Sequence, residues 1–217
     1  MSNRWWMAIV LWALIVWIFV LLISNQRHDR AVVAIITQDA HTILPLPVFT
    51  NVSDRYILTS DDLILWTGRK IGWSHNGSID IVQWWIAIDA DGTIGGRFLI
   101  SMDSIVIYDM SQDNPMYTQL LQHLRNGFFN VEQYPTAVFD IKKMDRQSGD
   151  RYIVVWNLQL HGITNEITFP AVVTFFDDAM RVQTTFSFDR TARGIQEVIQ
   201  IVDKYIELGI DITLNRR

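Results

Sequence analysis

The stretch RYIVVWNLQLHGITNEITF, residues 151–169, decides the fold. Its first half puts Tyr152, Val154, Trp156, Leu158 and Leu160 at every second position, with Asn157 and Gln159 on the opposite face. A strand turns successive side chains to opposite faces, so a period of two marks a half-buried strand; a helix repeats every 3.6 residues. His161-Gly162 then interrupts the run as a tight turn, and a second strand starts at Ile163. Two such runs joined by two residues form an antiparallel hairpin.

The same period recurs on both sides. Ala137, Phe139 and Ile141 alternate with polar Thr136, Asp140 and Lys142. Met180, Val182, Thr184, Phe186 and Phe188 form one face of the next run, and Ile206, Leu208, Ile210, Ile212 and Leu214 form one face of the last. Turn residues punctuate them at Asn76-Gly77, Asp91-Gly92, Ser148-Gly149 and Asp177-Asp178. The expected strands are 55–70, 77–88, 93–108, 136–144, 151–160, 163–176, 180–189 and 203–214, with one helix over 114–126 carrying Leu120, Leu121 and Leu124 on a stripe. Short antiparallel connections make this an all-β closed barrel or sandwich. A barrel of about eight strands is either filled by its own side chains or holds one small ligand, and pattern alone leaves both open.

The phrase HLRNGFFNVEQYPTAVFDI, residues 123–141, sharpens that choice. Phe128 and Phe129 follow the turn residues Asn126-Gly127, ahead of Tyr134-Pro135. Large rings at a junction either plug a core or line a space for an apolar guest.

Composition narrows the rest. Of 217 residues, 49 % are hydrophobic and 19 % charged, with nine tryptophans and eleven phenylalanines. Rings of this size supply area to a core, a cavity or a membrane interface. A net charge of −5 gives no basic face for nucleic acid. With no cysteine there are no disulfides, thiol chemistry or thiolate metal sites. The five histidines are dispersed, no nucleophile-elbow, phosphate-loop or dinucleotide motif occurs, and Asp89-Ala90-Asp91-Gly92 reads as a turn. The expectation is a protein that binds rather than catalyses, with no metal.

Trp5 to Ile23 runs nineteen residues without a charge, enough for a helix to cross the ~30 Å bilayer core, and no small-residue cleavage site follows. The expected organisation is a signal anchor over 1–24, a spacer over 25–54 and a barrel over 55–217. Arg4 on one side and Arg27 and Arg30 on the other leave orientation undecided. In the spacer, AVVAIIT (31–37) fits a short strand or a segment resting on the membrane surface, and Pro45 and Pro47 discourage a helix.

Several phrases in order resemble the YceI-like family of polyisoprenoid-binding, lipocalin-like barrels: WTGRKIGWSHNGSID, GTIGGRFLISMDSI, LLQHLRNGFFNVEQYPTAVFDI, YIVVWNLQLHGITNEITFPAVV and FSFDRTARGI. The resemblance covers Ile57 to Leu214. It departs where members often carry Lys-Pro and this chain has Asn165-Glu166, where many carry Arg-Asp and this chain has Leu121-Gln122, and at Trp84-Trp85, in a strand usually more polar. It implies an extended eight-stranded antiparallel barrel, a helix near its opening and a tunnel for a long isoprenoid or isoprenoid quinone. It also implies export, hence a single-pass protein of the cytoplasmic (inner) membrane with its barrel on the periplasmic side.

On this reading the apolar lumen and flap are Trp66, Phe98, Leu120, Leu124, Phe128, Phe129, Phe139, Trp156, Leu158, Phe169, Phe186 and Leu208. Arg69, Lys70 and His75, flanking a hairpin placed at Asn76-Gly77, could meet a headgroup or be a solvated tip. One ring of Trp84-Trp85 must face outward, toward a headgroup layer, a partner or water. The implied partners are a long-chain apolar molecule, the membrane through residues 5–23 and a second copy of the chain as a candidate; no cofactor beyond a bound isoprenoid lipid or quinone is implied. The competing reading is a structural barrel with a filled lumen.

Overall fold

A computed structural model describes residues 32–33, 35–37, 52–58, 63–195 and 202–217. The expected anchor over 1–24, and most of the spacer with Pro45 and Pro47, lie outside the described residues.

The strands are β1 (Val32–Val33), β2 (Ile35–Thr37), β3 (Val52–Leu58), β4 (Leu63–Lys70), β5 (Trp73–Asp89), β6 (Ile94–Ser101), β7 (Val106–Ile107), β8 (Thr136–Ser148), β9 (Arg151–Leu160), β10 (Ile163–Phe175), β11 (Ala179–Asp189) and β12 (Val202–Arg216). The expected strand 55–70 is two pieces in line: β3 and β4 both lie between β5 and β12. That composite, with β5, β6, β8, β9, β10, β11 and β12, makes eight antiparallel staves. The β11–β12 and β12–β4 pairings close them into a barrel. Inward side chains form one core cluster from Tyr56 to Leu214.

Three expectations need correction, each for a physical reason. The first hairpin turns at Ile71-Gly72, not Asn76-Gly77, because Lys70 pairs with Trp73 and Gly72 supplies the positive φ of 78°. Gly77 lies inside β5, where a Cβ would stand 1.7 Å from the Val106 carbonyl oxygen and 2.9 Å from the Trp66 ring. It is glycine to admit β7, not to turn. The expected strand 93–108 breaks after Ser101 into a 3-10 turn, Met102–Ser104, and then β7. The expected helix is α1 (Pro115–Gln122) followed by a wider π turn, His123–Phe128.

The other turns fall where expected. Asp91-Gly92 and Asp177-Asp178 separate β5–β6 and β10–β11, and Ser148-Gly149 marks the β8–β9 turn, where Ser148 closes β8 by pairing with Arg151 and Gly149-Asp150 make the turn. His161 and Gly162 take φ of 54° and 74°, the pair of positive values that a two-residue hairpin with the right twist needs. β5 carries a bulge between Ile81 and Gln83, which moves the inward parity from Ile79 and Ile81 to Trp84 and Ile86. Trp84 is therefore buried, while Trp85 is half-buried in the wall with the Arg55 guanidinium 5.9 Å from its ring centre.

The sheet also begins before residue 55. β10 and β11 pair only from Val172–Phe175 to Met180–Gln183. The next carbonyl facing β11, that of Pro170, accepts a 2.7 Å bond from the Thr184 hydroxyl. Proline has no N–H to give, so the ladder stops there and the strands part. The backbone of β1 pairs with Phe186–Ser187 and that of β2 with Glu166–Thr168, so the described residues of AVVAIIT, 32–33 and 35–37, are strand and lie in the seam.

Candidate functional site

One end of the barrel gathers the Ile71-Gly72 turn, the insertion from Met102 to Pro135, the His161-Gly162 turn and the start of β12. The phrases that carry the resemblance meet here. Tyr134 packs 4.7 Å from the His161 ring, and a Cβ on Gly162 would stand 2.7 Å from Tyr134. His161 Nδ1 lies 3.3 Å from the Arg193 carbonyl, as befits a hydrogen-bonding turn residue.

The insertion forms a flap over this end. Asn114 Oδ1 accepts from the Met116 amide at 2.9 Å and Pro115 opens α1, a regular helix start. After Gln122 the helix widens, and the Phe129 amide donates to the Leu124 carbonyl, five residues back, at 2.9 Å. The extra residue in that turn brings both Phe128 and Phe129 one turn beyond Leu124, where an α-helix would bring Phe128 alone. Their rings meet edge to face at 4.9 Å. Asn130, in the left-handed region at φ 47°, ends the turn. The two adjacent phenylalanines are there to close the underside of a flap.

Under it lies a cavity of about 260 Å³. Of the residues expected in the lumen and flap, Trp66, Leu120, Leu124, Phe128, Phe129, Phe139, Leu158 and Leu208 line it. Phe98, Trp156, Phe169 and Phe186 do not. With Trp84 they fill the barrel's cross-section: Phe98 and Phe169 each stand 4.8 Å from Trp156, and Phe169 stacks on Phe186 at 4.0 Å and 7°. All five are buried. Phe139, 5.0 Å from Trp156, is where this plug becomes the cavity floor. Trp156 Nε1 meets no acceptor, so the ring serves through its area. The expected tube through the whole barrel is thus open on the flap side and packed by rings beyond mid-barrel.

Sequence reasoning missed Ile64, Ile79, Ile100, Met102, Leu160, Phe188, Ile206 and Arg190, all lining the cavity. Phe188 and Ile206 share the inward parity of Phe186 and Leu208, so the alternation itself could have found them. Arg190 gave no such signal. It is buried, donates to the carbonyls of Ile195 (2.7 Å), Asp203 (3.0 Å) and Val202 (3.3 Å), and lies 5.1 Å over the Phe128 ring. It ties the exit of β11 to the entry of β12 while holding the flap.

The three expected headgroup residues stand together at the mouth, each lining the cavity. Arg69 Nη2 lies 3.3 Å from both carboxylate oxygens of Glu207. Lys70 Nζ lies 5.4 Å from the Trp73 ring centre. His75 Nδ1 lies 2.8 Å from Asp109 Oδ2, and the Asn76 amide donates to Asp109 Oδ1 at 3.0 Å. Burial pushes the Asp109 carboxyl up, but the Asn76 amide and the His75 ring outweigh it and hold its pKa below the ordinary value. Among the described residues, no group of three or more His, Asp or Glu could hold a metal ion.

A family model described as the YceI-like domain matches residues 59–214. The barrel is similar to the crystal structure of Burkholderia cenocepacia BcnA (TM-score 0.59, 15 % identity), covering 70 % of this chain and 95 % of that one. It is also similar to a polyisoprenoid binding domain from Saccharophagus degradans, implicated in plant cell wall breakdown (TM-score 0.57, 12 % identity), covering 75 % of this chain and 98 % of that one. At such identities these likenesses show the fold. No curated protein matches the sequence.

Proposed function

The chain belongs to the YceI-like family, and from that premise we propose that its half-open barrel holds the tail of a long apolar lipid, an isoprenoid or isoprenoid quinone, for storage or transfer. The observation that carries this is the apolar cavity of about 260 Å³ between the Phe128–Phe129 flap and the Trp156 plug. Enclosing sites for small ligands are roughly 300–1,000 Å³, so this one takes the end of a tail and the remainder leaves through the mouth. Arg69, Lys70 and His75 stand where a pyrophosphate or quinone headgroup would emerge. The barrel works without catalysis on the extracytoplasmic face of the cytoplasmic membrane, tethered through residues 5–23. The likeness to a polyisoprenoid binding domain supports this reading of the ligand.

Native mass spectrometry of the full chain, released from detergent, tests it. The expected result is a discrete lipid adduct that survives collisional removal of detergent and disappears in Leu124→Trp, which fills the cavity. An adduct indifferent to Leu124→Trp, or none at all, refutes the proposal. The ring plug favours a second reading, a structural barrel with no guest, and the absence of any adduct would support that one.

A further inference from the structure

Among the described residues, the most exposed large apolar side chains are Ile71 and Trp73, with 72 % and 68 % of their surface in water. They flank Gly72 at the tip of the β4–β5 hairpin. The turn itself asks only for a residue with positive φ, which Gly72 provides. Ile71 and Trp73 therefore need another reason to be there. The tip forms the rim of the cavity, since Gly68, Arg69, Lys70 and His75 all line it.

The chemistry of the rim is specific. An isoleucine and a tryptophan, with a lysine ammonium over the indole, pair an apolar body with cationic heads, the arrangement favoured at a bilayer's headgroup boundary. Tyr108, more than half exposed, adds a second amphipathic ring beside the tip, its amide donating to the Asn76 carbonyl at 2.8 Å. The turns of the opposite end set carboxylates, not cations, beside their exposed rings, although Arg146 and Arg151 flank one of those turns. They carry Asp91, Asp150, Asp177 and Asp178. The exposed aromatics there, Phe175 and Phe176, directly precede that last aspartate pair. An anionic surface repels Asp177 and Asp178 beside those rings and attracts Lys70 at the tip, where Arg69 is paired with Glu207 and His75 with Asp109.

We propose that the Ile71–Trp73 hairpin tip docks the cavity mouth onto a bilayer carrying anionic headgroups, so that a lipid tail passes between membrane and barrel without crossing water. The inference rests on the lipid-binding reading and adds the surface through which the lipid enters.

The absence of native cysteine makes the test clean. Full-length Ile71→Cys and Asp177→Cys are each labelled with an environment-sensitive fluorophore. They are then reconstituted into vesicles of phosphatidylethanolamine and phosphatidylglycerol containing lipids with a quencher near the headgroup. The label at 71 should be blue-shifted and quenched and that at 177 should not, and the difference should shrink in phosphatidylcholine vesicles or at high salt. Ile71→Ser/Trp73→Ser should slow transfer of a fluorescent isoprenoid to acceptor vesicles by roughly tenfold or more, while the adduct seen by native mass spectrometry persists. Equal responses at 71 and 177, or no response at either, overturn the docking surface. Quenching reports on the membrane whether or not cargo is bound, so loss of the adduct from the unmodified chain would refute the lipid reading alone.

Discussion

Trp156→Ala tests whether the rings beyond mid-barrel are structure or ligand site. Trp156 is 2 % exposed and touches Phe98, Phe139 and Phe169 at ring separations of 4.8, 5.0 and 4.8 Å. A buried tryptophan removes about 150–250 Å² from water. At ~25 cal/mol per Å², that area is worth about 4–6 kcal/mol, an upper bound because alanine keeps part of it and the unfolded chain already hides part. Core Trp→Ala changes cost ~3–5 kcal/mol, so about 4 kcal/mol is expected here. In a domain of this size that lowers Tm by roughly 8–16 °C. Denaturant titration at unchanged slope measures the loss. Native mass spectrometry provides the second readout: thinning the plug beneath the Phe139 floor lets the cavity deepen, so lipid should be retained and heavier adducts favoured. A cost below ~1 kcal/mol together with loss of the adduct would show that Trp156 faces ligand, not packed rings, and would refute the division of the lumen.

Other residues allow separate checks. Gly77→Ala should cost about 1–3 kcal/mol, because its methyl collides with backbone of β7 and β7 cannot yield as a side chain would; an unchanged melting temperature would contradict that contact. Arg193 is fully buried, its Nε and Nη2 have no partner, and desolvation lowers its pKa to about 10, which still leaves it charged at neutral pH. Its Nη1 lies 3.4 Å from the Asp189 carbonyl and its guanidinium 4.9 Å from the Phe188 ring, contacts that only partly offset the burial; Arg193→Met should therefore raise stability by ~1–3 kcal/mol in chemical denaturation, and a loss of stability would refute the reading of an under-compensated cation. Asp109 and Asp189 keep folded-state pKa values below ordinary: burial raises both, but the Asn76 amide and His75 for one, and Thr191 and Lys204 for the other, outweigh it. Groups depressed in this way stabilise the fold above their unfolded pKa, about 4, and lose that contribution as pH falls through the lower folded values. The urea midpoint should thus decline on acidification below about pH 4, less steeply in Asp109→Asn; an identical acid decline in that variant would count against the role of Asp109.

Much of the barrel is legible along the chain because strand alternation is a local property. Tyr152 to Leu160 and Met180 to Phe188 face inward in the expected phase, and three of the four turn signals lie at turns. Asn76-Gly77 misled because glycine answers two needs, positive φ and close approach, and only the arrival of β7 tells which applies. The resemblance to the family carried the flap, and eight of the twelve expected apolar residues line the cavity. Arg190 and the seam at Pro170 escaped because their partners are carbonyls and strands that only the closed sheet brings near.

Alternation along the chain marks the all-β class, the eight staves and most of the inward side chains, since each follows from neighbours two residues apart. The tertiary structure decided which inward rings touch one another and which leave space. That depends on register across the barrel, on the bulge in β5 and on the extra residue in the π turn, all set by strands far apart in the chain. A period of two can show that Phe169 and Leu158 point inward; only distances across the lumen show that one packs against a ring and the other faces a cavity.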